Sequence, residues 1–132
     1  MLFTKKSEYA MLALVVIARS DIPVNADQLS IELNISKSFL AKILQNLAKN
    51  DILNSFKGIN GGFTLKKQPD QLTILEISKI VEEKDPAVFE CTANQRICFT
   101  NTCKTCTIFP ILNNLQTKIN TFLQNLTLKD IL

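Results

Sequence analysis

Cys91, Cys98, Cys103 and Cys106 are the only cysteines of the chain, and they fall within sixteen residues as C-x6-C-x4-C-x2-C. Thiolates at these spacings on one loop can wrap an iron–sulfur cluster or a single tetrahedral zinc ion. The Cys103-x-x-Cys106 pair can also form a redox disulfide, with Arg96 and Lys104 near enough in sequence to favour thiolate. Iron and zinc both accept four sulfurs, so the donor set does not choose between them. The chain has no histidine and no tryptophan. Without histidine there is no Ser-His-Asp or Cys-His catalysis, no helical His-x-x-x-His zinc site and no imidazole proton shuttle. No phosphate-binding loop or catalytic carboxylate pair stands out either, so an enzyme is not expected.

The chain that must position these thiols has 132 residues, 46% of them apolar and 20% charged. That suits one domain, or a small domain with an appendage. The net charge of +3 is unevenly spread: residues 1–67 carry nine Lys/Arg against five Asp/Glu, and residues 68–132 carry six against seven. A basic front half suggests an acidic partner for that half, although a solvated lysine face would look the same. The longest apolar stretch, Tyr9 to Ala18, is far short of the ~20 residues needed to span a bilayer. Glu8 and Tyr9 interrupt the approach from Lys5 and Lys6 to that stretch, and no small-x-small cleavage site follows it. A cytoplasmic protein with no membrane partner is the expectation, in which clustered cysteines serve as metal ligands or redox thiols.

The apolar run from Thr4 to Ala18 predicts a helix with Thr4 as N-cap, buried on several sides. Asn25 and Gln28 form a capping box for a second helix to Leu33. After Asn34-Ile35, Ser36 caps a third helix to Lys49. Its apolar set is Phe39, Leu40, Ile43, Leu44 and Leu47, and its other face carries Lys37, Ser38, Ala41, Lys42, Gln45 and Lys49. Two helices so joined read as helix-turn-helix, or as an ordinary αα-hairpin. Strand-like runs at Ile52–Lys57 and Phe63–Lys67 flank Gly58-Ile59-Asn60-Gly61-Gly62, where Asn-Gly signals a hairpin through residues that tolerate positive φ. A hairpin directly after helix-turn-helix makes a winged helix, with Lys57, Lys66 and Lys67 flanking the wing. Thr73 to Glu76 form a capping box for a helix to about Lys84, stopped by Pro86. From Ile108 a last helix accepts Pro110 in its first turn and carries Leu112, Leu115, Ile119, Phe122 and Leu126 at spacings of three and four. That stripe can pack on its own domain or on a second copy of the chain.

The predicted fold class is mainly α: a winged helix-turn-helix with a two-stranded β wing and a long C-terminal dimerisation helix. Residues 1–86 form the DNA-binding unit, 87–107 a cysteine-rich sensor loop, and 108–132 the dimerisation helix and tail. This order resembles the Rrf-type winged-helix regulators, whose members include IscR-, NsrR- and CymR-like proteins. The resemblance is carried by Leu2 to Ala10, Ile35 to Leu40, Lys57 to Phe63 and the tail Leu126 to Ile131, and it covers nearly the whole chain.

The resemblance implies a homodimeric transcription regulator on double-stranded DNA with a palindromic operator. The third helix would enter the major groove and the wing the adjacent minor groove. It places Thr4, Lys6, Tyr9, Ser36, Lys37, Ser38, Phe39, Lys42, Lys57, Gly58, Asn60 and Gly61 at the DNA. Lys57 stands where the family usually has arginine, and Ala41 where IscR-like proteins have glutamate, so the operator preference of those proteins does not carry over. Cys91, Cys98 and Cys103 match the three cysteines of cluster-binding members in order, at spacings of six and four where about five and five are common. Cys106 stands at the fourth-ligand place of IscR-like proteins and Glu8 at that of NsrR-like proteins. Cysteine is the softer ligand and is preferred, which leaves Glu8 a surface or capping carboxylate. The resemblance thus implies an iron–sulfur cluster that sets DNA affinity, with zinc or a thiol/disulfide switch as the alternative. A clusterless regulator or interaction module governed by a protein partner is a further alternative.

Overall fold

The computed structural model describes residues 3–88 and 106–132. Helix α1 (Lys5–Arg19) buries Ser7, Ala10, Ala13, Leu14 and Ile17. Thr4 precedes it in extended conformation, but its side chain does not cap the helix; it turns instead to a distant carboxylate. Helix α2 (Ala26–Leu33) starts as its sequence predicts. The Asn25 side chain accepts from the Gln28 backbone N–H at 2.8 Å, and the Gln28 side chain accepts from the Asn25 N–H at 3.0 Å. It ends at Asn34, whose left-handed conformation turns the chain into α3 (Lys37–Lys49). Leu40, Ile43, Leu44 and Leu47 of α3 are buried against α1, α2 and the wing.

Strands β1 (Leu53–Phe56) and β2 (Gly62–Leu65) pair antiparallel, with Leu53 opposite Leu65 and Phe56 opposite Gly62. The connection is a longer loop than the Asn-Gly signal implied. Positive φ falls on Gly58 and Gly62 and not on Asn60 or Gly61. The longer loop relieves the central pair of the left-handed geometry that a two-residue turn imposes. At Gly62, φ is +144° and a Cβ would stand 2.7 Å from the Val24 carbonyl carbon. That approach lets Val24 add one more rung to the wing: Phe63 N–H donates to Val24 O at 2.8 Å, and Val24 N–H to Phe63 O at 3.1 Å.

A short 3-10 turn (Pro69–Gln71) leads to α4 (Ile74–Glu82), where the Thr73 hydroxyl accepts from the Glu76 N–H at 3.1 Å. The Glu76 carboxylate does not return the bond but pairs with Lys67. Helix α4 stops two residues before Lys84, because Glu83 is left-handed. Helix α5 (Phe109–Asn125) has Pro110 in its first turn, where a missing N–H costs no helical bond. The tail closes back on the domain. Ile74 N–H donates to Leu126 O and Leu128 N–H to Leu72 O, each at 2.9 Å, and α6 (Leu128–Ile131) follows with Leu128 buried. Among the described residues no helix is long and apolar enough to cross a membrane.

Candidate nucleic-acid interface and the flanks of the cysteine segment

The two faces of α3 separate cleanly. One supplies four fully buried aliphatic side chains, while Lys37, Ser38, Phe39, Lys42, Gln45 and Lys49 lie on the exposed side and Ala41 between them. Ser36 precedes α3 without capping it; its hydroxyl meets that of Ser38 at 3.0 Å. Phe39 departs from the inward role its spacing suggested. It is partly exposed and meets the Tyr9 ring edge-to-face, with centroids 5.8 Å apart. This contact sets the first half of α1, with Thr4 and Lys6 half-buried, beside the first turn of α3. Lys37 pairs with Asp27 at 2.9 Å, whereas Lys42 makes no ion pair among the described residues.

The wing lysines divide. Lys66 binds Asp51 at 2.8 Å, and this hydrogen bond and charge hold the Asp51 carboxyl below its usual range. Lys67 is tied to Glu76. Lys57 forms no ion pair among the described residues and lies exposed with Gly58 and Asn60, while Gly61 is half-buried. Ile59, at the tip of the loop, is wholly exposed.

Of the cysteines, Cys106 is half-buried just ahead of α5, and Cys91, Cys98 and Cys103 lie outside the described residues. Among the described residues no three His, Cys, Asp or Glu side chains gather as a metal site. Glu8 is exposed and pairs with Lys5 at 2.9 Å. The stripe on α5 is split between two faces. Leu112, Ile119 and Leu126 are half-buried, the last two against the core, whereas Leu115 and Phe122 are exposed together with Ile111.

Two residues that sequence reasoning did not single out organise the surroundings. Glu82 accepts a hydrogen bond from the Ser7 hydroxyl at 2.6 Å and another from the Thr4 hydroxyl. Burial pushes its carboxyl upward, but the bonds from Ser7 and Thr4 outweigh that and hold it below its ordinary range. Its partners stand 75 and 78 positions away, so no local pattern marks it. Gln116 is buried in α5; its side chain donates to Pro86 O and accepts from Val88 N–H, each at 2.8 Å. No local pattern marks Gln116 either, since it is one of several polar residues between Leu112 and Ile119.

Three helices with α3 exposed along its polar face, followed by a two-stranded wing, define a winged-helix protein of the kind that regulates transcription. Residues 3–132 match the family model described as Rrf2, an iron-dependent transcriptional regulator, and the chain belongs to that family. A protein of Aquifex aeolicus named as an HTH-type transcriptional regulator is 30% identical, over 100% of this chain and 92% of its own. The HTH-type transcriptional regulator IscR of Yersinia pseudotuberculosis is 29% identical, over 99% of this chain and 79% of its own. The oxidized form of Staphylococcus aureus CymR superposes with a TM-score of 0.73 at 15% identity, over 99% of this chain and 95% of that one. These relatives are regulators, not enzymes, and the chain is a transcriptional regulator of the Rrf2 family.

Proposed function

We propose that the chain acts as a homodimer on a two-fold symmetric DNA site, with one α3 in each major groove and the wing at the neighbouring minor groove. The observation that carries this reading is the division of α3, whose polar and basic side is offered to solvent along its length while the opposite side is wholly buried. A helix so divided meets the demand of major-groove recognition, which needs small polar and basic side chains at base edges and phosphates. Tyr9, Thr4 and Lys6 flank α3 on this reading, and Lys57, Gly58, Asn60 and Gly61 serve the wing. Residues 1–86 form the DNA-binding unit, 87–107 the sensor and 108–132 the dimer helix. The exposed part of the α5 stripe, Leu115 and Phe122, supports the second copy as its cover.

The sensor is read from its donors. Four thiolates suit an iron–sulfur cluster, and Cys106, which the structure describes, is partly accessible at the foot of α5. Cys91, Cys98, Cys103 and Cys106 would hold the group, leaving Glu8 to its Lys5 ion pair. When bound, a cluster supplies reversible one-electron chemistry and sensitivity to oxidants. The iron-dependent description of the family and the IscR relative support this reading. The Cys103-x-x-Cys106 spacing supports a second one, a thiol–disulfide switch; zinc is the remaining occupant of the same donors.

The test has two parts. Selection from a randomised duplex library should return a two-fold symmetric site, bound with an affinity that falls steeply with salt as phosphate counterions are released. Salt-independent or absent binding refutes DNA recognition. Anaerobically purified protein is assayed for iron, zinc and acid-labile sulfide. Matching iron and sulfide, lost in a folded Cys98→Ala variant, is the expected result. Full cluster content in that variant refutes the ligand set, and protein without iron or sulfide refutes the cluster.

A further inference from the structure

Glu82 is the last residue of α4, yet its carboxylate serves the start of α1. It takes the Ser7 hydroxyl at 2.6 Å and the Thr4 hydroxyl. Ser7 is fully buried while Glu82 and Thr4 are half-buried, so this contact sits at the edge of the core. The start of a helix carries partial positive charge, which favours a carboxylate placed there. In most helices the residue before the first turn supplies a side-chain cap. Thr4 does not; its hydroxyl turns to Glu82 instead, which ties the start of α1 to the end of α4. Little more than a turn beyond Thr4, Tyr9 lies against Phe39 in the first turn of α3. Whatever fixes the start of α1 also supports the corner where α1 and α3 meet.

The other side of Glu82 leads toward the cysteines. Glu83 is left-handed and turns the chain out of α4. Pro86 is buried, and Gln116 of α5 holds the segment from both sides, donating to Pro86 O and accepting from Val88 N–H. Asn120, one turn along α5, accepts from Gln116 at 2.9 Å and orients its amide. The chain entering the cysteine segment is thus held by α5 at Pro86 and Val88 and by α1 at Glu82.

We propose that Glu82 is a positioning residue for DNA binding: through Ser7 and Thr4 it fixes the first turn of α1 beside the first turn of α3, while Gln116 anchors the segment beyond it to α5. The path from α5 to α3 alternates contacts with chain: Gln116 holds Pro86 and Val88, residues 83–85 join these to Glu82, Glu82 accepts from Ser7 and Thr4, and Tyr9 meets Phe39. A displacement at the entry to the cysteine segment would reach that corner through these contacts and the short backbone stretch between them. This inference rests on the DNA-binding reading above.

The experiment compares wild type, Glu82→Ala and Glu82→Gln on the duplex that wild type selects from the randomised library, at several salt concentrations and at a temperature where each is folded. Glu82→Ala should weaken binding about tenfold, within the range of site-to-site couplings in proteins. The slope of log affinity against log salt should flatten by about one unit for each phosphate the variant no longer neutralises. Glu82→Gln keeps an acceptor oxygen and should recover most of the affinity and the slope. A folded Glu82→Ala protein with wild-type affinity overturns the proposal. So does a weakened one with an unchanged slope, because a drop in fold stability alone leaves the folded molecules gripping the same phosphates. Should Glu82→Ala fail to fold, Ser7→Ala removes one donor and is held to the same two readouts. If wild type binds no duplex, the DNA reading itself falls and this inference falls with it; failure of the variants alone removes only the role of Glu82.

Discussion

Replacing Gly62 by alanine tests how the wing is fastened. The new Cβ would stand 2.7 Å from Val24 C, 2.8 Å from Val24 O and 2.9 Å from Asn25 N, at a φ of +144°. These are backbone atoms, so no side-chain rotation relieves the clash. Holding alanine at that φ costs about 1–3 kcal/mol. The clash is relieved only by moving β2 away from Val24, which also breaks the two hydrogen bonds of the Val24–Phe63 bridge, each worth about 1 kcal/mol net. Alanine returns about 0.4–1 kcal/mol by restricting the unfolded chain. The net loss should be about 2–5 kcal/mol, a large part of an ordinary domain's stability. Urea unfolding followed by circular dichroism, at one fixed protein concentration, measures it. Gly58→Ala is the internal control, for φ there is +100° but nothing lies within 4 Å of the new Cβ. It should lose only the conformational part. If Gly62→Ala costs no more than Gly58→Ala, the Val24 bridge does not hold the wing and the reasoning fails.

Phe122→Asp, on the exposed side of α5, should shift the protein from dimer to monomer in sedimentation velocity; an unchanged dimer refutes α5 as the interface. Gln116→Leu leaves the Val88 N–H without its acceptor and should cost about 1–3 kcal/mol, with faster hydrogen exchange at Val88 than in wild type; unchanged exchange refutes the anchor. Because the Glu82 carboxyl titrates lower in the folded chain than its ordinary 4.5, folding binds fewer protons there. Its contribution is present above that ordinary value and disappears as pH falls through the depressed folded one. The stability difference between wild type and Glu82→Gln should therefore shrink on acidification through this window, and a pH-independent difference refutes the assignment.

Much of the winged helix is legible in local pattern. The Asn25–Gln28 box, the Thr73 cap, the two faces of α3 and the place of Pro110 each depend on residues within about one helical turn of one another. Such signals act before any tertiary contact forms, which is why the helix starts and the inward aliphatic set of α3 follow from spacing alone. The existence of the wing also follows from two short strand-like runs around a glycine-rich connection. The loop geometry does not, since which glycine takes positive φ depends on how closely Val24 approaches Gly62. The α5 stripe shows the same division. Its period specifies an amphipathic helix but not which neighbour covers each part, and the docking of the domain turns Ile119 inward and leaves Phe122 outside. Glu82 and Gln116 are wholly matters of tertiary structure. Apart from the Gln116–Asn120 bond within α5, their hydrogen bonds join residues 28 to 78 positions apart, and a pairing at that separation leaves no periodic trace, because only the packed core brings its two halves together.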